Sequence, residues 1–107
     1  MYAILRKNTY DSTKLAKERE RLEQFQELHA VQPGFRGTIE IDAGDGRRFV
    51  LNLWDSEESA SAALPGMVPV VKRLLEPMMS APSELLGQGP VVLASLMEPL
   101  HTERGKK

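Results

Sequence analysis

The chain has 107 residues, with 14 lysines and arginines against 15 aspartates and glutamates, a formal net charge of −1 and 41% hydrophobic residues. That length allows one domain with one modest core, and the charge balance argues against a general nucleic-acid binder. With no cysteine there is no disulfide, thiolate metal site or cysteine nucleophile; the two histidines, at 29 and 101, are too far apart to suggest a zinc site, and no apolar run approaches the ~20 residues of a membrane span.

Met1-Tyr2-Ala3-Ile4-Leu5-Arg6-Lys7 lacks the basic-then-apolar order of a signal peptide, so a cytoplasmic protein is expected. Tyr2 to Asn8 reads as a first strand, closed by the turn cluster Asn8-Thr9-Tyr10-Asp11-Ser12, in which Asp11 or Ser12 can cap a helix. Lys14 to about Val31 is predicted to be that helix. Leu15, Leu22, Phe25, Leu28 and His29 form its apolar stripe, and Lys17, Glu20, Arg21, Gln24 and Glu27 its solvated face.

Pro33-Gly34 ends the helix. From Phe35 the chain alternates: Phe35, Gly37, Ile39 and Ile41 on one side, Arg36, Thr38 and Glu40 on the other. Asp42 to Gly46 is a hairpin connection. Arg47 to Trp54 returns with Phe49, Leu51 and Leu53 on one face and Val50, Asn52 and Trp54 on the other, which predicts a central strand covered on both sides. Asp55 or Ser56 then caps a second helix, with Glu57 and Glu58 in its positive first turn.

That second helix is expected in two pieces, Ser56 to Leu64 and Pro69 to about Met79, broken at Pro65-Gly66. The break is either a simple loop or a pliable wall over a pocket. Ser80 to Gly89 reads as a Pro/Gly/Ser loop, and Pro90 to Met97 as a last strand, apolar on both sides. The expected domain spans 1–97, with 98–107 a polar tail that serves solubility.

The order β-α-β-β-α-β predicts an α+β, ferredoxin-like fold: a four-stranded antiparallel sheet with both helices on one face. The strands carry apolar side chains in both directions, and a bare apolar sheet face is not tolerated in a monomer. A homodimer with the two sheets packed face to face removes the problem.

Pro33-Gly34-Phe35-Arg36-Gly37, followed after the hairpin by Leu51-Asn52-Leu53-Trp54-Asp55-Ser56-Glu57-Glu58-Ser59-Ala60, resembles the dimeric α/β-barrel proteins of the antibiotic biosynthesis monooxygenase type. The resemblance runs from Tyr2 to Met97. It implies a homodimer with a pocket in each subunit between sheet and helices, and a family that includes cofactor-free monooxygenases of aromatic polyketides or quinols, haem-degrading enzymes, small-metabolite isomerases and proteins without known activity. Haem-degrading members use an Asn near the end of strand one, a Trp within helix two and a His further along. Asn8 matches the first, Ala63 stands in place of the Trp, and Val70 to Leu75 holds Lys72 and Arg73 but no His, which disfavours haem degradation. The missing helix-two Trp also weakens the match to the polyketide monooxygenases. Trp54 matches the structural tryptophan of the motif.

Two functions follow. The first is a cofactor-independent monooxygenase on a small aromatic or quinol-like substrate, needing neither metal nor flavin. Asn8 would hold a substrate oxygen, or else serve a turn. His29 would act as base, or else be a hydrogen-bonded helix-end residue. Trp54, Met67, Leu74 and Met78 would line the pocket or fill core. Arg36, with Arg6 and Arg48, would offer charge to an anion, or else pair with a carboxylate such as Glu40. The second is a non-catalytic dimeric barrel that binds a small hydrophobic metabolite. Neither involves a nucleic acid or a membrane.

Overall fold

A computed structural model describes residues 1–96, and its elements run β1 (Tyr2–Tyr10), α1 (Ser12–Lys17), α2 (Arg19–Ala30), β2 (Phe35–Gly44), β3 (Arg47–Trp54), α3 (Glu57–Leu74), a 3-10 turn (Glu76–Met78) and β4 (Met79–Pro90). The four strands form one antiparallel sheet in the order β2-β3-β1-β4. This is the expected ferredoxin-like arrangement, with β1 and β3 at the centre. The tail 98–107 and Met97 lie outside the described residues.

The helices begin where the sequence provides acceptors. The Asp11 carboxylate takes the Lys14 N–H at 3.0 Å to start α1, and the Ser56 hydroxyl takes the Ser59 N–H at 3.1 Å to start α3. Lys14 to Val31 is not one helix. Glu18 sits at φ −116°, ψ 38°, outside the helical region, and the Arg21 side chain and backbone N–H both bond back to Glu18 to restart the chain as α2. No proline or glycine marks this break.

The expected break at Pro65-Gly66 is absent, and α3 runs unbroken through Pro65 and Pro69. An interior proline disfavours a helix by about 3 kcal/mol. Both prolines are exposed, and being four residues apart they share one face, so the carbonyls they leave unbonded are turned toward water. Ala60, Ala63, Met67 and Leu74 hold the opposite face buried against the sheet and α2.

The last strand is also displaced. Ser80 to Gly89 is not a loop but most of β4, while 91–96 form no regular element. Pro82, Gly87, Gly89 and Pro90 disguise an edge strand, the one place in a sheet where proline is tolerated. Its ladder with β1 slips between Leu5 and Arg6, between Lys7 and Thr9, and between Thr9 and Tyr10.

One further slip moves a side chain to the other face. Phe35 pairs with Trp54 but Gly37 with Leu53, so Arg36 is an extra residue in a bulge. Phe35 therefore faces the helices, whereas Gly37, Ile39 and Ile41 face away. Arg36 sits outside that layer and donates to Asp55 Oδ1 at 2.8 Å, with both side chains about half exposed.

The β2–β3 turn places Asp45 and Gly46 at positive φ, 58° and 77°, and the Gly46 carbonyl accepts the Tyr10 N–H at 2.8 Å. A methyl on Gly46 would strike the Tyr10 carbonyl oxygen, whereas one on Gly44 would meet nothing within 4 Å. Gly44→Ala is expected to cost about 1 kcal/mol from backbone strain alone, and Gly46→Ala roughly 3 kcal/mol because strain and a backbone clash combine. Urea unfolding of the two variants side by side checks the difference.

Candidate functional site

The β1–β3 register decides what lies beneath the helices. Tyr2 pairs with Trp54, Ile4 with Asn52, Arg6 with Val50 and Asn8 with Arg48. By alternation these residues and Tyr10 share the helix-facing side of the two central strands. The layer is apolar at both ends. At one end Tyr2 and Trp54 pack with Ala60, Ala63 and Met67; at the other Tyr10 packs with Leu22, Leu75 and Met78. Phe25 touches both clusters.

Between the clusters the layer is polar. The side-chain oxygens of Asn8 and Asn52 are buried and have no hydrogen-bond partner among the described residues. Each such orphan acceptor costs about 1–3 kcal/mol, so this is an expensive place for two carboxamides if packing is all they do. Arg6 lies between them along β1 and donates to Ser83 Oγ on β4 at 3.3 Å. Arg48, opposite Asn8, pairs with Glu40 on β2 at 3.3 Å. Tyr10 completes the row: burial pushes its phenol up in pKa and the Glu40 carboxylate adds to that, while the Asn8 amide and the Arg48 charge pull it back.

His29 is elsewhere. Its ring lies 4.4 Å from Phe35, 5.2 Å from Phe25 and 5.6 Å from Trp54, centroid to centroid, and Phe35 and Trp54 meet edge to face at 5.1 Å. Burial in this nest pushes its pKa below the usual 6.5, so the ring is neutral at pH 7. The strand partners of this end and of Asn8, Trp54 and Arg48, are six residues apart on β3, on the order of 20 Å. Asn8 and His29 therefore do not meet across one small molecule.

Of the remaining expected site residues, Trp54 is buried, Met67 packs against it, Leu74 is buried on α3, and Met78 has no exposed surface at all. The structure uses these four as core. Asn52 and Tyr10 are the residues that sequence reasoning did not single out for the site. Asn52 carried a usable signal: an amide between Leu51 and Leu53 in a strand covered on both sides is a buried polar group by alternation alone. Among the described residues no group of three or more His, Cys, Asp or Glu side chains could hold a metal ion, and no helix is long and apolar enough to cross a membrane.

An antiparallel β2-β3-β1-β4 sheet with its helices on one side is the fold of the antibiotic biosynthesis monooxygenase-type proteins, and the chain has that fold. Among solved structures it is similar to SnoaB, a cofactor-independent oxygenase from Streptomyces nogalater, with 20% identity, 91% of this chain and 97% of that one covered, and a TM-score of 0.69. It is also similar to the heme-degrader MhuD from Mycobacterium tuberculosis, with two hemes bound in its active site (20% identity, coverage 89% and 99%, TM-score 0.65). A third neighbour is NE2512, a protein of unknown function from Nitrosomonas europaea (15% identity, coverage 92% and 95%, TM-score 0.71). At these identities the likeness is one of fold. The sequence matches no family model and no curated protein.

The aromatic nest makes a pH prediction. A group whose pKa is lower in the folded state than its unfolded 6.5 binds a proton more readily when unfolded. Stability from His29 is thus fully present above pH 6.5 and is lost as the pH falls through 6.5 toward the folded value. His29→Phe keeps an aromatic ring and removes the titration. Melting temperatures from pH 8 to pH 5 should fall less steeply for the variant than for the wild type.

Proposed function

We propose that the protein is a cofactor-independent monooxygenase of a small hydroxylated aromatic or quinol-like substrate, and that it works as a homodimer. The observation that carries this reading is the pair of buried, unpartnered carboxamide oxygens of Asn8 and Asn52 flanking Arg6. Orphan acceptors are answered by donors, and phenolic hydroxyls on an apolar ring are donors of the right kind. The Arg6 and Arg48 charges favour the anionic form of such a ring. Trp54 and Met67 support the Asn52 end of the row, and Tyr10 and Met78 the Asn8 end. SnoaB, the cofactor-independent oxygenase with this fold, supports the reaction class by analogy.

The chemistry needs only the substrate and dioxygen. Loss of a proton from a ring CH₂ gives an enolate, stabilised by arginine charge and by asparagine N–H donors, while the asparagine oxygens accept from the ring's hydroxyls. The enolate carbon bonds dioxygen, the peroxide takes a proton, and loss of water leaves a carbonyl. The net change is CH₂ + O₂ → C=O + H₂O, with the substrate supplying all four electrons. Because His29 lies at the far end of the layer, the proton leaves through the substrate's own acidity and solvent. MhuD's heme chemistry is not transferred to this chain, which has no histidine between Val70 and Leu75.

The dimer follows from the opposite sheet face. Leu5, Phe49, Leu51, Leu53, Ile39 and Ile41 lie on the side away from the helices, and Ile41 alone is 57% exposed. A second sheet against this face removes that apolar surface from water.

A non-catalytic, metabolite-binding dimer remains the second reading, favoured by the four expected lining residues that pack as core. Oxygen consumption over a panel of anthrones and naphthoquinols separates the two. Asn8→Ala and Asn52→Ala should each lower kcat by about tenfold or more, as loss of a transition-state hydrogen bond does. Their melting temperatures should stay close to wild type, because each change removes a buried oxygen with no partner. Unchanged turnover in both variants would remove the asparagines from the reaction, and binding without oxygen uptake would favour the second reading.

A further inference from the structure

Beyond Pro90 the chain runs Val91-Val92-Leu93-Ala94-Ser95-Leu96, six uncharged residues in no regular element. Val91 donates to the Met1 carbonyl at 2.8 Å, the last bond among the described residues that holds the chain alongside β1. After it Val92 is 93% exposed, Leu93 82% and Leu96 68%. Single exposed aliphatics are ordinary, but three in one six-residue strand-forming run are not. On the open face, just behind the base of this segment, lies a shallow, mostly apolar hollow lined by Ala3, Leu5, Leu51 and the run Gly87 to Pro90, which includes Gln88. Two of its lining residues have no side chain, and a Cβ at either would meet nothing within 4 Å. The sheet thus carries both an unaccommodated apolar arm and an unfilled apolar recess.

The arm cannot readily serve its own recess. The Val91–Met1 bond aims the chain past the end of β1, away from Ala3 and Leu5, and turning back requires a tight reversal within 91–96. That run has no Gly, Pro, Asn or Asp and only Ser95, a weaker turn former, and it begins with two β-branched valines. A six-residue extended segment spans roughly 20 Å, enough to cross to a facing sheet about 10 Å away.

We propose that Val91–Leu96 is an exchange arm: in a pair of chains packed through their open sheet faces, each arm crosses to the other copy and lays Val92 and Leu93 into the recess floored by Gly87 and Gly89. The exchange is reciprocal, so one contact is made twice. It rests on the homodimer of the preceding reading and goes beyond it, since sheet faces can pair without arms.

The cysteine-free sequence permits a direct test. Full-length protein carrying only Leu93→Cys is mixed with protein carrying only Leu5→Cys, re-equilibrated and oxidised, while sedimentation measures the dimer constant of Leu93→Asp against wild type. The expected result is a disulfide-linked heterodimer and a dimer dissociation constant raised at least tenfold. A dimer that persists with unchanged affinity and gives no cross-link overturns the arm and leaves the sheet-face dimer standing. A wild type that is monomeric throughout overturns both. A chain bearing both cysteines that closes on itself as a monomer shows the arm folding back, which also overturns the exchange.

Discussion

The structure depends on the register of β1 against β3. Eight consecutive pairs, from Tyr2 with Trp54 to Thr9 with Arg47, run without a slip. The ladders on either side absorb all the irregularity, with bulges near Arg36 and Asp42 on β2 and three shifts against β4. Because side chains alternate, one slipped residue in the central pair would exchange the two faces wholesale. It would turn over one strand against the other, placing either Leu5 under the helices or Leu51 there with Trp54 on the open side. The outer strands can bulge because a slip there re-aims one or two side chains, as it does for Phe35, and leaves the centre intact.

With the register fixed, the helices are held at both ends and lie over a polar middle. At the Trp54 end the rings of Phe25, His29, Phe35 and Trp54 join α2, β2 and β3, each aromatic contact adding about 0.5–1.5 kcal/mol beyond its buried area. The Asp55 N–H to Gly34 carbonyl bond, 2.7 Å, closes the same corner. At the other end Met78 and Leu75 pack on Tyr10 and Leu22, and Arg21 donates to the Arg73 carbonyl at 2.9 Å, tying α2 to α3. Two anchors about one strand length apart leave the row of Arg6, Asn8, Arg48 and Asn52 beneath the helices, between the two apolar clusters.

Alternation made the centre legible from sequence. Val50, Asn52 and Trp54 opposite Phe49, Leu51 and Leu53 is a period of two with both sides apolar, and β3 has the central place and the two faces so read, with the helices covering the Trp54 side. Three features were not legible, for different physical reasons. The break at Glu18 rests on one residue's φ and ψ and on Arg21, with no breaker in the sequence. The continuity of α3 defeats a rule that holds for prolines facing inward, because Pro65 and Pro69 both face water. The placement of β4 inverts composition: the run that looks like a strand, Pro90 to Leu96, is unpaired beyond Val91, and the run that looks like a loop is paired to β1. Pairing is decided by what lies alongside, and Ser80 to Gly89 lies alongside a central strand that needs a neighbour. Asn8 was singled out because it stands near a strand end, and the structure buries its side-chain oxygen without a partner among the described residues. His29 was placed beside it only because linear order gives no distance between the two ends of a sheet.

The chain is incomplete in two ways that call for different partners. The open face and the segment after Pro90 lack apolar cover. Hydrophobic burial is non-directional, so any surface of matching shape and polarity will serve, and a second copy offers one. Among the described residues the oxygens of Asn8 and Asn52 lack donors, and a hydrogen bond is directional: a donor must approach within about 3 Å and near the carbonyl plane. Those oxygens face the helices, on the side of the sheet away from the open face, so no sheet-to-sheet association can satisfy them. Any donor for them has to lie between sheet and helices. An association through the open face and a ligand beneath the helices would therefore be separable in this fold, one on each face of the same central strands.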